Sequence, residues 1–264
     1  MLRLFLIFLV LVSFKGNTSP FAKKLRENEQ AQQAPPKPSL DGIQEKIYQA
    51  FVHSMNARDK EELMKLSHQL IALDATEDPP IIIYWRAYLQ FYISVFHLKN
   101  GDEEKAEREI DKGIDWMEDL ERRNSEDNAL LAMMQGFSIQ FKSLKVIFLA
   151  MDIKSNLKQA LEQDSTNQRA YYVYASNDYY TPEKYGGGKS AEQYLLKAIS
   201  LADQTSEKPY LPSWGKEESY ELLIKLYIKA EKYDLAKKYY KEGLANYPDS
   251  YFISQLSSKL PTIN

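Results

Sequence analysis

The feature that most constrains this chain is a spacing of large and small side chains that recurs along it. Near the C-terminus, four apolar residues separated by three, one and three positions lie on one helical face: Tyr220, Leu223, Ile224 and Tyr227. After a break around Ala230, residues separated by four and three positions mark a second helix that a proline closes: Ala236, Tyr240, Gly243 and Pro248. Small residues let two helices approach closely while tyrosines fill the remaining space, so this spacing predicts a packed helix pair.

The same frame recurs upstream, and from Ile43 onward no strand pattern competes with it. One further pair is marked by Tyr172, Ala175, Ser176 and Tyr179 and then by Ala191, Leu195 and Ala198. Another is marked by Trp85, Tyr88, Leu89 and Tyr92 and then by Ala106, Ile110 and Gly113. Between these two lies a pair marked by Phe137 and Leu144 and then by Ile153, Leu157 and Ala160. A first, degenerate pair is predicted from Ile47, Ala50, Phe51, Leu63, Ser67 and Leu70. Such pairs hide their apolar faces by stacking, so the sequence predicts one continuous helical array.

Residues 217–248 resemble a tetratricopeptide repeat. In that pattern a first helix carries aromatic, large, small and aromatic residues, and a second carries small, aromatic and small residues before a closing proline. The segment departs from the pattern at Ile224, where glycine is preferred, which implies wider helix packing there. The resemblance implies an all-α fold over residues 43–264, a right-handed α-solenoid of about five helix pairs. Helical spacing then predicts a C-terminal capping helix from Phe252, Ile253, Leu256 and Leu260.

A narrower resemblance concerns residues 177–188, where a Tyr-Tyr-Thr-Pro run leads to three glycines. This stretch is similar to the helical-repeat T component associated with tripartite (TRAP) periplasmic transporters. The resemblance implies a second hypothesis for the function, a small-ligand or lipid-binding component of a periplasmic uptake system. That hypothesis predicts an apolar pocket between repeats, lined by residues such as Phe91, Phe141 and Tyr180.

The N-terminus has the composition of a secretory signal, because Arg3 precedes an apolar run over residues 4–12. The run is shorter than the roughly 20 apolar residues that span a bilayer. Residues 1–22 are therefore predicted to be a signal peptide, with membrane contact only if it stays uncleaved. Residues 23–42 are polar and contain three prolines, which predicts a disordered spacer. The expected location is periplasmic or secreted, and a chain without cysteine cannot be a lipoprotein.

Composition and spacing exclude several classes of function. The formal net charge of −3 gives no basic excess for nucleic acid, and the absence of cysteine excludes thiolate catalysis. His53, His68 and His97 are not spaced to share a metal ion, and no nucleophile–base pair can be assembled around them. Residues 187–190 read Gly-Gly-Lys-Ser, but a phosphate-binding loop needs another glycine where Glu183 stands. We therefore expect no enzyme, no metal and no cofactor.

The first helices of tetratricopeptide solenoids line the concave face, which implies where a partner would bind. The register places the following residues in that groove: Arg86, Gln90, Lys142, Lys145, Asn177, Tyr180, Lys225 and Lys229. Four lysines and an arginine facing one hollow in an acidic protein predict an acidic or carboxylate-ended ligand. Lysines that only solvate a helix surface are the alternative explanation. The leading hypothesis is an exported, non-catalytic scaffold that binds a protein or peptide in this groove.

Overall fold

Helical periodicity in the sequence produces helices along the whole part of the chain that the structure describes. That structure, a computed structural model, describes residues 39–77, 80–142, 146–202 and 208–261, without the side chains of residues 75–77. The predicted signal peptide and most of the predicted spacer lie outside these ranges. The described residues contain no strand and no helix long and apolar enough to cross a membrane. Their α-helices are α1 (Ile43–Ala57), α2 (Glu61–Glu77), α3 (Pro80–Lys99), α4 (Glu103–Glu118), α5 (Ser125–Ser138), α6 (Val146–Gln163), α7 (Gln168–Tyr180), α8 (Ala191–Ser200), α9 (Lys216–Lys229), α10 (Tyr233–Asn246) and α11 (Tyr251–Ser254).

The helices pack as consecutive pairs. Each odd-numbered helix from α1 to α9 packs against the even-numbered helix that follows it, and α11 packs on α10 and α9. Each odd-numbered helix also packs against the next odd-numbered helix, so α1, α3, α5, α7 and α9 form a row. The all-helical fold predicted from the spacing is thereby confirmed. Membership of the tetratricopeptide family and the right-handed superhelix stay predictions.

The small residues of the predicted frame lie where two helices approach most closely. A Cβ atom at Gly113 would lie 2.3 Å from the Met134 Cε of the next pair, and one at Gly243 would lie 3.1 Å from the Ile253 Cδ1. The alanines of the same frame are fully buried: Ala106, Ala160, Ala191, Ala198 and Ala236. Any larger side chain at these positions would push the packed helices apart.

The third pair differs from its prediction. Phe137 and Leu144 were expected on one first helix, but α5 ends at Ser138, a short 3-10 helix follows over Ile139–Phe141, and Leu144 lies outside the described residues. The start of α5 is fixed earlier by Asn124, whose side chain accepts from the backbone N–H groups of the first turn. The Asp127 carboxylate accepts in return from the Asn124 N–H, which completes a capping box. Apolar spacing alone placed this first helix too far along the chain.

The C-terminal cap is also shorter than predicted. Only α11 is α-helical, and a 3-10 helix continues it over Gln255–Lys259. Ser254 and Ser258 donate their hydroxyls to carbonyls three residues earlier, a local bond that competes with regular α-helix. Ile253 and Leu256 are nevertheless buried against the last pair. The segment therefore caps the array as expected, in a tighter helical form.

The segment of residues 208–215, here called the inner segment, connects distant parts of the array. The Gly42 N–H donates to the Pro209 carbonyl at 3.0 Å, and the Trp85 indole donates to the Tyr210 carbonyl at 2.7 Å. The Trp214 indole donates to the Tyr84 hydroxyl at 2.8 Å, and the Trp214 carbonyl accepts from the buried Arg169 guanidinium. These bonds join α1, α3 and α7 at the ends where the three helices begin. The first pair is thus tied to the fourth through a segment that a simple repeat does not contain.

Candidate functional site

A cavity with a largely apolar lining lies between α3, α5 and α7, and we call it the apolar cleft. Its volume is about 500 Å³, which is within the range of small-molecule sites. None of its lining residues is charged: Phe91, Met133, Gly136, Phe137, Ile139, Gln140, Tyr172, Val173, Ser176, Asn177 and Tyr180. All of them come from first helices or from the 3-10 helix that continues α5. The cleft therefore lies on the row of first helices, where the sequence placed the binding groove.

Aromatic packing and one glycine shape the apolar cleft. Phe91 and Phe137 meet edge to face with ring centroids 5.2 Å apart, which joins α3 to α5. A Cβ atom at Gly136 would lie 2.5 Å from the Asn177 Oδ1, so a larger residue there would displace the Asn177 amide. The Asn177 amide donates to the Val173 carbonyl at 2.9 Å, which fixes its orientation. The wall is thus held in place by contacts within the protein, as is usual for small-molecule sites.

Two of the predicted groove residues line the apolar cleft. Asn177 lies in its wall, and Tyr180 lies at its mouth, where 66% of the residue is exposed. Of the residues predicted for an apolar pocket, Phe91 and Tyr180 line it, whereas Phe141 packs on Phe137 at 5.8 Å without lining it. Tyr172 is half-buried in the wall, and the removal of its hydroxyl from water raises the pKa of that hydroxyl well above the usual value. Tyr180 therefore presents the accessible hydroxyl.

Several of the predicted basic groove residues are held by acids of their own chain. The Lys142 ammonium lies between Glu107 and Asp111, at 2.7 and 2.6 Å from their carboxylates. Lys225 pairs with Glu221 one turn earlier on α9. These pairs offset the charge that an acidic ligand would otherwise meet.

Arg86 and Gln90 are likewise engaged within the protein. Arg86 pairs with Asp74, and its guanidinium lies 4.5 Å from the centre of the Trp116 ring. Gln90 is buried and donates to Glu109. Both side chains thus point to second helices, and their predicted role in the groove stays a prediction.

Lys229 differs from these residues. It is exposed, makes no ion pair among the described residues, and its ammonium lies 5.4 Å from the centre of the Tyr179 ring. Tyr179 in turn meets Tyr180 edge to face at 4.9 Å. Lys229 is therefore separated from the mouth of the apolar cleft by two tyrosine rings. Lys145, the remaining predicted lysine, lies outside the described residues.

A second cavity, here called the acidic cleft, lies where the first helix meets the last elements of the array. Its volume is about 410 Å³, and Tyr48 of α1 and Phe252 of α11 meet across it with centroids 5.7 Å apart. Its charged lining residues are all acids: Glu45, Glu217, Glu218 and Asp249. Sequence reasoning missed this cleft, because its residues come from opposite ends of the chain and no repeat spacing links them.

Glu218 is the most perturbed acid of this cleft. Burial raises the pKa of its carboxyl to about 7, although the Gly215 N–H donates to it at 2.6 Å and favours the charged form. Burial and then the nearby Glu217 also raise the pKa of the Tyr48 hydroxyl. Both shifts reflect a site that is partly removed from water and negatively charged.

The groups considered for metal and phosphate chemistry have other roles in the structure. Among the described residues no three His, Cys, Asp or Glu side chains converge as a metal site. His97 is buried with its Nε2 atom unpaired, and burial lowers its pKa. At the Gly-Gly-Lys-Ser stretch, the Asp178 carboxylate accepts from the N–H groups of Ser190 and Ala191. A carboxylate already occupies the start of α8, so that helix end does not attract a phosphate.

Comparisons with known proteins give one structural likeness. No family model matches the sequence, and no curated protein matches it. Among solved structures, the chain is similar to the HusA haemophore from Porphyromonas gingivalis, with a TM-score of 0.50 and 22% sequence identity. The match covers 81% of this chain and 96% of that chain. At this identity the likeness extends to the helical fold.

Proposed function

We propose that this protein is an exported, non-catalytic binding protein that carries a flat apolar ring with carboxylate groups, of the porphyrin class, in the apolar cleft. The observation that carries the proposal is an uncharged, aromatic cavity of about 500 Å³ on the row of first helices. The likeness to a protein described as a haemophore supports the choice of ligand class. Haem would be cargo here, and the proposal needs no reaction.

The lining residues suit a flat ring. Phe91, Phe137 and Tyr172 offer large apolar surfaces from the first helices of three successive pairs, and Met133 offers an adaptable thioether among them. A planar ligand between these side chains would remove apolar area from water on both of its faces, which is the main favourable contribution at such a site. The Asn177 and Gln140 amides and the Ser176 hydroxyl are the polar groups that would orient it.

The carboxylates of such a ligand need positive charge at the mouth of the cleft. Lys229, which makes no ion pair among the described residues, lies beyond the Tyr179 and Tyr180 rings, and Lys225 lies one turn earlier on α9. A porphyrin would therefore combine two expectations from the sequence. Its carboxylates fit the ligand predicted from the lysines, and its apolar ring fits the pocket of the second hypothesis. The acidic cleft, in contrast, would repel both carboxylates of haem.

Iron coordination is not the main source of affinity in this proposal. No histidine lines the apolar cleft, and its metal donors are the hydroxyls of Tyr172 and Tyr180 and the thioether of Met133. Burial raises the pKa of the Tyr172 hydroxyl and so disfavours its phenolate. We expect ring contacts to dominate, so metal-free protoporphyrin should bind with an affinity similar to that of haem.

The proposal also covers the structural class of the protein and its location in the cell. The spacing of Tyr220, Leu223, Tyr227, Ala236 and Gly243 supports membership of the tetratricopeptide type and the right-handed superhelix that it implies. Arg3 and the apolar run over residues 4–12 support export to the periplasm or the exterior. A carrier of this kind would act there.

The test is an absorbance titration with haem and with metal-free protoporphyrin. Ser176→Trp places a large ring inside the cavity and is expected to weaken both ligands roughly tenfold or more, because the ligand must displace it. Ser155→Trp is the matched control, since it introduces the same side chain at an exposed position of α6. Equal affinities for the two variants would contradict the proposal. Circular dichroism should give the same helicity for both.

An acidic peptide in the groove is the other candidate, and the exposed Lys229 favours it. Lys142 is not a suitable test residue, because its reversal would add a carboxylate beside Glu107 and Asp111. Lys229→Glu avoids that problem. Capture of an acidic peptide with a free C-terminus that is lost in Lys229→Glu and kept in Ser176→Trp would favour peptide binding. The opposite pattern would favour the porphyrin.

A further inference from the structure

We propose that the acidic cleft is a second binding site, which takes a small organic cation with a quaternary ammonium head. The site goes beyond the proposed carrier function and depends on none of its residues. It brings together the first helix, the third helix and the last elements of the array. Its two notable properties are a cage of aromatic rings and an uncompensated negative charge.

The aromatic cage comes from both ends of the chain. Tyr48 of α1 meets Phe252 of α11 with ring centroids 5.7 Å apart, and Tyr88 meets Tyr92 on α3 at 5.2 Å. Tyr251, with 67% of the residue exposed, stands at the opening. Cations bind over the faces of such rings within about 6 Å of a centroid, and quaternary ammonium groups are the ligands that aromatic cages recognise best.

The charge of the cleft has one sign. Glu45, Glu217, Glu218 and Asp249 line it, and no lysine, arginine or histidine does. Glu45 lies in the first turn of α1 and Glu217 in that of α9, where each helix dipole offsets about half a charge. Two such dipoles do not balance the carboxylates of Glu45, Glu217 and Asp249, even where Glu218 holds a proton. A cation would therefore gain both from the carboxylates and from the rings.

The geometry favours an organic cation over a metal ion. A bound Ca²⁺ needs several oxygens at about 2.3–2.6 Å, whereas no such convergence of acids occurs among the described residues. The Glu218 carboxylate is also engaged by the Gly215 N–H at 2.6 Å. A cavity of about 410 Å³ has room for a head group whose charge is spread over methyl groups. Such a diffuse positive charge can interact with the aromatic walls without close coordination by oxygen atoms.

Isothermal titration of the full chain with choline, and with the neutral isostere 3,3-dimethylbutan-1-ol, tests this proposal. The isostere replaces the nitrogen by carbon, so it keeps the shape and removes the charge. Choline is expected to bind about tenfold or more tightly than the alcohol. The double variant Glu45→Gln with Glu217→Gln should weaken choline about tenfold, because it removes two charges from the cleft.

The matched control is Glu103→Gln with Glu121→Gln, which makes the same change of charge at exposed positions on and near α4. Choline affinity should be unchanged in this control. Equal affinities for choline and the alcohol, equal losses in both double variants, or no measurable choline binding would each overturn the proposal. A haem titration in saturating choline should give the haem affinity found without it, so failure at one cleft is distinguishable from failure at the other.

Discussion

The apolar cleft and the acidic cleft are built on the same row of first helices but differ in charge and in origin. Phe91, Phe137 and Tyr172 line the apolar cleft from three successive repeats, whereas Tyr48 and Phe252 meet in the acidic cleft from the two ends of the array. The apolar cleft forms where successive repeats stack, whereas the acidic cleft forms where residues from the two ends of the array meet. The two proposed sites therefore have opposite preferences, one for a carboxylate-bearing ring and one for a cation.

Trp214 of the inner segment separates the two clefts. Its ring stacks on Tyr88, which lines the acidic cleft, at 6.0 Å, and meets Tyr172, which lines the apolar cleft, at 6.2 Å. Trp214→Ala is expected to have the largest effect of the changes discussed here. Loss of this buried ring should lower the free energy of unfolding by about 3–5 kcal/mol, as measured by chemical denaturation. Haem and choline should both bind more weakly, because Tyr88 in one cleft and Tyr172 in the other lose the ring that they pack against.

Trp214→Phe separates the contribution of the aromatic ring from the contribution of the indole hydrogen bond. It keeps an aromatic ring between the clefts and removes the indole N–H that donates to the Tyr84 hydroxyl. The expected loss of stability is about 1–2 kcal/mol, with both ligands still bound. If Trp214→Ala weakened the binding of only one of the two ligands, Trp214 would not support both clefts.

The two clefts should also differ in their dependence on pH. The acidic cleft contains Glu218, whose pKa is raised, whereas no charged residue lines the apolar cleft. The pKa is about 7 in the folded chain and near 4.5 in an unfolded one. Between these pH values the folded chain holds a proton that the unfolded chain has released, so the stability falls as pH rises from about 4.5 to about 7. The contribution lost is about 3 kcal/mol. Above about pH 7, ionisation of Glu218 does not lower the stability further.

Glu218→Gln should remove this decrease. The amide oxygen can still accept from the Gly215 N–H, and the side chain no longer ionises. The variant is expected to be more stable than the natural chain at pH 8 and no more stable at pH 4.5, as measured by urea denaturation at each pH. Asp127, whose pKa burial raises to about 6, contributes a similar slope between about 3.8 and 6 in both proteins. An unchanged slope between pH 6 and 8 would refute this role of Glu218.

The sequence predicted the helix pairs because small and large side chains must alternate wherever two helices touch, as Gly113 and Gly243 illustrate. Asn177 and Tyr180, which it placed in the groove, both line the apolar cleft, whereas their role in binding stays a prediction. It did not predict the inner segment, because hydrogen bonds such as that from the Trp85 indole to the Tyr210 carbonyl join residues far apart in the chain. Nor could it predict that Lys142 is paired, since Glu107 and Asp111 belong to the preceding repeat.

The start of α5 could have been predicted from the sequence. Asn124 and Asp127 have the three-residue separation of a capping box, a signal at the start of a helix that apolar spacing does not contain. Met133, Phe137 and Gln140 then follow at helical spacing on the face that lines the apolar cleft. Reading caps before apolar faces would have placed this helix correctly and would have added Phe137 to the candidate site.

The smallest expected effect concerns Lys229, which is proposed to meet a ligand carboxylate at the mouth of the apolar cleft. Exposed ion pairs contribute little, so Lys229→Gln should weaken haem binding only about two- to fivefold. Protoporphyrin dimethyl ester, which lacks the carboxylates, should bind the variant and the natural chain equally. Salt should reduce the difference between the two proteins for haem, because exposed charges are screened. Lys241→Gln, at an exposed position of α10, is the matched control. If the ester were affected as much as haem, Lys229 would act through the position of the Tyr179 ring and not through its charge.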